Sequence, residues 1–461
     1  MLEKFLNIFR IPDLRKRVLF TMGILAVYRL GAFIPTPGVD TQKLELLFNS
    51  QNGSALGLMD LFGGGNLRRM TIFALGIMPY ITASIIFQLL AVVYEPLARI
   101  EKEGELGRRK ITQWTRYLTV ILGALQSIGI AAILTRQGLV LDPGIGFSLM
   151  TVLTLTTGTA FIMWLGEQIT DRGIGNGMSL LIFAGIVAGL PSGVGELWTK
   201  VQTDAWGSFT PGVLILLLAG MLAVVAFIVF VERAERRIPI QSARRIVGRR
   251  MMGGQASHLP LRVNSGGVMP IIFASSILSA PMLLGTSEWV QNNRFLESIF
   301  QALQPGYPWY ELLNILGIIF FAYFYVSIVM KPDDIADNFR KSGSFIPGIR
   351  PGKRTSDFIN DVLTRITLVG GLYLILVSLV PTFLISGIRF DKIWLIGRVF
   401  ENLPNWMTHG MNVNFYFGGT SLLIVVGVAM DTINQIESQL VMRHYDGFSP
   451  RSGRIRGRKT W

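Results

Sequence analysis

The chain has 461 residues, half of them hydrophobic, with only 16% charged and a mean hydropathy of +0.47. A water-soluble domain cannot hide that much apolar surface, so lipid must be the solvent for much of the molecule. The absence of cysteine excludes disulfides, thiolate metal sites and a cysteine nucleophile, while the formal charge of +14 gains meaning only once it is placed along the chain.

The amino terminus, MLEKFLNIFRIPDLRKRV, lacks an apolar core followed by a small-residue cleavage site, and its acids argue against a transit peptide. The first span is therefore expected to be retained. From there, apolar runs of about 20 residues, the length that crosses about 30 Å of hydrocarbon, recur along the whole chain. Ten such runs are predicted as membrane-spanning helices. They lie near Val18 to Ile34, Met70 to Val93, Tyr117 to Leu134, Phe147 to Gln168, Met178 to Leu190, Gly212 to Val231, Gly266 to Leu284, Leu312 to Met330, Ile366 to Ile385 and Phe415 to Gln435. If the amino terminus is cytoplasmic, segments 1–17, 94–116, 171–177, 232–265, 331–365 and 442–461 face inward and hold 33 of the 43 Lys and Arg. That bias obeys the positive-inside rule and predicts both termini inside.

Two stretches nearly repeat: GIMPYITAS (Gly76 to Ser84) in the second span and GVMPIIFAS (Gly267 to Ser275) in the seventh share six of nine residues. The second span runs inward and the seventh outward, the pattern of an inverted repeat. The match alone leaves open chance convergence of Gly, Pro, Ala and Ser in packed membrane helices. As a repeat, it divides the chain into halves 1–195 and 212–441, joined by an external hinge at 196–211 within the outward loop near Pro191 to Pro211, with a basic tail at 442–461. Pro79 and Pro270 are expected to kink their helices, and Gly76, Ala83, Ser84, Gly267, Ala274 and Ser275 to allow close helix approach. Two cytoplasmic loops, Glu232 to Asn264 and Lys331 to Arg365, are too long to be simple connectors, and Ile238 to Ile240 in the first could form a short strand.

Chemistry is sparse. His258, His409 and His444 are scattered without metal-ligand spacing, and neither HExxH nor GxSxG occurs. RGIGNGMS (Arg172 to Ser179) lacks the Lys-Ser/Thr of a P-loop and joins two helices, so it is read as a cytoplasmic hinge. No cofactor, metal or enzymatic activity is predicted. Glu167, Glu232, Asp431 and Glu437 lie toward the cytoplasmic ends of their spans and Arg29 near an outer end. A solute-coupled transporter, the rival reading, would place ionisable groups at mid-membrane. A passive conduit is favoured.

FALGIMPYITASIIFQLL, KEGELGRRKITQWTRY, MWLGEQITDRGIGNGMSLLIFAGIVAGLP, GRRMMGGQASHLPLRVN, ADNFRKSGSFIPGIRPG and FYFGGTSLLIVVGVAMD resemble the SecY family, the channel subunits of the bacterial Sec protein translocase. The resemblance spans nearly all ten runs and their inner loops. It implies an all-α polytopic inner-membrane protein of two pseudo-symmetric inverted five-helix halves. Such a channel translocates unfolded secretory polypeptides and releases hydrophobic segments sideways into lipid. The implied pore ring is Ile77, Ile81, Met178, Ile182, Ile272 and Ile424, with Met178 where the family usually has isoleucine. The implied lateral gate includes Pro79 and Pro270, with Gln88 and Asn264 as its polar pair. Leu58 to Met70 resembles a short plug helix that includes Leu61, Phe62 and Asn66, with Gly63, Gly64 and Gly65 as its flexible attachment. Implied partners are the small subunits SecE and SecG, the motor ATPase SecA, the ribosome through its RNA, signal peptides, nascent chains and anionic lipids. Arg244, Arg245, Arg249, Arg250 and Arg350 are the implied contacts for motor or ribosome.

Overall fold

The computed structural model describes residues 11–50, 60, 63–203, 210–242, 245–247, 250–252, 257–285, 293, 298–300, 302–303, 307–386 and 419–446. Every expected span carries a helix. In chain order the elements are α1 (Pro12–Gly31), α2 (Thr41–Ser50), α3 (Met78–Val93), α4 (Glu95–Lys102), α5 (Glu105–Arg136), α6 (Ile145–Arg172), α7 (Gly177–Gln202) and α8 (Thr210–Arg233). After these come strands β1 (Glu235–Ser242), β2 (Arg245–Val247), β3 (Arg250–Met252) and β4 (Ser257–Arg262). The chain continues with α9 (Met269–Gly285), α10 (Pro308–Val329), α11 (Pro332–Ser342), β5 (Ser344–Phe345), α12 (Lys353–Ser386) and α13 (Gly419–Asp446). The ten spans are α1, α3, α5 to α10, α12 and α13.

Several helix ends follow from local chemistry. Pro12 and Pro308 stand in the first turns of α1 and α10, where a missing N–H costs nothing. Asn176 caps α7, its side-chain oxygen accepting from the N–H of Met178 at 3.1 Å. Where helices press together, glycine is required: a methyl group at Gly158 of α6 would stand 1.9 Å from the carbonyl oxygen of Ile72. At the end of α6 an ion pair, Arg116 Nε to Glu167 Oε1 at 2.7 Å, ties α5 to α6. Large apolar side chains such as Leu125, Leu149, Leu222, Phe230 and Leu316 point outward and are exposed, as a lipid solvent demands.

Between α8 and α9, β1 pairs with β4 antiparallel from Glu235↔Arg262 to Ile240↔Ser257. The strand at Ile238 to Ile240 is thus present. Its other edge takes β5, with Gln241 opposite Phe345, so the two long loops form one three-stranded sheet. Ile238, Leu261, Ile346, Ile359 and Val362 make a satellite core beneath it.

Two sequence expectations need correction. The prolines do not kink helix interiors. Pro79 and Pro270 are the second residues of α3 and α9, and the chain reaches each start through a glycine, Gly76 or Gly267, at a φ of +57°. An L side chain is strained there, and a proline in the first turn forfeits no helical hydrogen bond. The repeated motif is therefore a helix start, used twice with the same backbone geometry, and the second span is helical only from Met78. The outward loop is also shorter than expected, because α7 continues through Pro191 to Gln202.

Candidate pore, plug and gate

Helices α3, α7, α9 and α13 converge on the largest hydrophobic cluster among the described residues. Ile77, Ile81, Ile182, Ile272 and Ile424 are all buried in it, Ile424 completely, and Met178 is partly buried against it. Ile77 and Ile81 lie one turn apart, joined by the Ile81 N–H to Ile77 C=O bond at 3.1 Å, so they present one face at two levels about 6 Å apart. Met178 and Ile182 repeat that spacing on α7. The Met178 sulfur leans onto α6, where a methyl group at Gly166 would meet it at 2.5 Å. Four helices thus bring these residues to one cluster, which side chains of α1, α6, α8, α10 and α12 complete. Among the described residues, no group of three His, Asp or Glu side chains gathers as a metal site would require.

On one side of this cluster lies the segment before α3. Asp60 and Gly63 are helical, and from Gly64 to Ile77 the chain is almost entirely turns, interrupted by a short backbone bridge at Thr71. Leu61 and Phe62 lie outside the described residues. Asp60 organises the segment: its Oδ1 accepts the N–H groups of Leu67 and Arg68, both at 2.9 Å. Burial pushes its carboxyl up to about 6, against the opposing pull of those N–H groups and of Arg68 and Arg69. Gly63 packs beside Gly76, the residue before Ile77, and Gly64 lies against Gly185, three residues beyond Ile182. Asn66 is buried and donates its amide to the Tyr28 hydroxyl at 3.3 Å.

Helices α3 and α9 pack against each other. The expected pairing of Gln88 with Asn264 is absent in this arrangement. Gln88 Nε2 donates to Ser84 Oγ on its own helix at 3.2 Å. Asn264 Nδ2 donates to Glu232 Oε1 at 2.7 Å and to the Gly267 carbonyl at 3.1 Å. A carboxylate at the end of α8 outcompetes a neutral amide for that donor. Glu232 was visible at the end of its apolar run, but its partner was not. Nearby, Arg262 of β4 reaches Asp431 of α13 at 3.3 Å.

Arg350 is exposed beyond β5, in a turn closed by Thr355 Oγ1 donating to the Arg350 carbonyl at 2.9 Å. Arg245 and Arg250 stand on β2 and β3, which pair antiparallel as a separate two-stranded sheet, with Arg250 opposite Val247. Arg244 and Arg249 lie outside the described residues.

Ten helices on the expected apolar runs, nine of them contributing to one buried apolar cluster, define the class among the described residues: a polytopic α-helical membrane protein. A family model for SecY matches residues 71–433. The protein translocase subunit SecY of Escherichia coli K12 is 47% identical over 443 residues, covering 94% of this chain and 93% of that protein. The same subunit of Streptomyces griseus is 46% identical over 472 residues, covering 97% of this chain and all of its own length. Among solved structures, a protein-conducting channel superposes with a TM-score of 0.63 at 16% identity, over 95% of each chain. A SecY whose plug domain stabilises the closed state and maintains a membrane seal follows at 0.60 and 17%, again over 95% of each chain. The chain belongs to the SecY family, and its function is that of a protein-conducting channel.

Proposed function

We propose that this channel is sealed by Ile77, Ile81, Met178, Ile182, Ile272 and Ile424, stoppered by the segment 58–70, and opened toward lipid between α3 and α9. The observation that carries the proposal is that all six residues, from α7, α9, α13 and the start of α3, lie in or against one apolar cluster to which α1, α6, α8, α10 and α12 also contribute. A narrow apolar constriction sheds water, so ions lose hydration without compensation, while aliphatic side chains can part around a peptide and offer it nothing to bind. The shared +57° glycine and helix start of α3 and α9 support the division into inverted halves 1–195 and 212–441. The charge bias supports placing both termini in the cytoplasm of a bacterium, with the protein in its inner membrane.

A photoreactive residue at Ile272 tests the conduit directly. It should crosslink to a secretory precursor stalled halfway through export; a stalled chain that never labels from Ile272 would remove that helix from the path.

The partners fit the same reading. The canine Sec61 relative at a TM-score of 0.59 is part of a ribosome–channel complex. We extend ribosome binding, together with SecA and the small subunits SecE and SecG, to this chain through the basic loops. Arg350, exposed on a firm turn, suits carboxylate or phosphate recognition by its planar fork. Arg350→Glu should impair motor-driven export while leaving the amount of protein in the membrane unchanged. Normal SecA-dependent export by that variant would dissociate Arg350 from the docking surface.

A further inference from the structure

We propose that the Tyr28 hydroxyl is the catch that holds the plug shut, with Asn66 as its counterpart. The inference rests on reading 58–70 as the plug. Among its described residues the segment is fastened by backbone bonds, by the burial of Leu67 and Met70 in an apolar core, and by one side-chain hydrogen bond. Its root is bound by backbone: Thr36 N–H to Met70 C=O at 2.7 Å and Ile72 N–H to Ile34 C=O at 3.0 Å, around the Pro35↔Thr71 bridge. Its body is shaped internally by Asp60, whose carboxylate and carbonyl are engaged within the segment. The bond from Asn66 to Tyr28 is different, because it leaves the segment and reaches α1 across 38 positions of sequence.

The catch is built to engage. Both residues are almost fully enclosed, at 2% and 3% exposure, so the bond forms away from competing water. The Tyr28 ring is held by stacking on Phe73, with centroids 5.7 Å apart and planes 14° from parallel. Phe73 in turn fills a notch at Gly31, where a methyl group would stand 2.2 Å from the ring. Beside the bond, Gly64 and Gly185 meet backbone to backbone: a Cβ on Gly64 would lie 2.5 Å from the Gly185 carbonyl oxygen. A Cβ on Gly185 would lie 3.4 Å from the Tyr28 hydroxyl. The missing side chain at Gly64 is what allows this close approach beside the bond. Swinging the plug aside while its root bonds hold would break this neutral hydrogen bond and withdraw Leu67 from its apolar contacts, and the bond is the part of that cost a single hydroxyl controls.

The test compares the full-length channel with Tyr28→Phe, Asn66→Ala, the double variant and a deletion of residues 60–68 in planar bilayers. Tyr28→Phe keeps the ring on Phe73 and removes only the hydroxyl. Each single variant should raise the resting ion conductance about fivefold, the weight of one hydrogen bond, and the double variant should exceed neither. Resting conductance unchanged in Tyr28→Phe, or effects that multiply in the double variant, would overturn the catch. The deletion separates the two layers of the argument. If it raises conductance while Tyr28→Phe does not, the catch alone fails; if it leaves conductance at the wild-type level, the plug reading fails with it.

Discussion

Joining α3 to α9 through introduced cysteines is expected to reduce export of a signal-bearing precursor to the background of membranes without the channel, and reduction of the link to restore it. The chain has no cysteine of its own, so the introduced pair reports alone. The two helices pack together, and each starts afresh after a +57° glycine. Their amides are satisfied elsewhere, by Ser84, Glu232 and Gly267. What resists parting is thus mostly apolar packing, and even an interhelical hydrogen bond would add only about 0.6 to 2 kcal/mol. A signal segment of about ten leucine-like residues gains roughly 3 to 6 kcal/mol on entering lipid. That gain separates packed helices but leaves a covalent link closed. Undiminished export through the crosslinked channel would exclude α3 and α9 as its opening.

The second large effect is expected at the waist. Ile81→Asn or Ile424→Asn places an amide inside the apolar cluster proposed as the seal. The amide costs about 1 to 3 kcal/mol if left dry, so it recruits water, and water shortens the barrier to ions. A barrier lowered by roughly 1.4 kcal/mol already means about tenfold more current. Ile424 is fully buried and has no room to turn its amide toward solvent, so its effect should exceed that of Ile81. The same variants should admit precursors with weakened signals, because a hydrated waist resists opening less.

Much of this was legible in the residues. The ten spans followed from run length, since hydrocarbon thickness imposes a minimum that no soluble helix must meet. The i, i+4 isoleucine pairs showed that each helix could present one apolar face, and the family resemblance indicated which faces meet. Gly-x-Met-Pro was visible as an anomaly but misread as a kink. Sequence shows that proline lacks an N–H, but not that a left-handed glycine three residues earlier has already ended the preceding turn. Polar partners were the least legible. Asn264 bonds Glu232 and Asn66 bonds Tyr28 across 32 and 38 positions, and no periodicity reports which of several reachable carboxylates or hydroxyls wins. The pairing of β5 with β1 escaped for the same reason: it joins two loops with α9 and α10 between them.

The central claim, that a ring of apolar side chains keeps the resting pore dry, is met most directly by the current through a planar bilayer holding the purified channel with no substrate. The account predicts near silence for the unaltered chain and a steady ohmic leak for Ile424→Asn. An open, ion-conducting state in the unaltered chain, or silence in the variant, would contradict it.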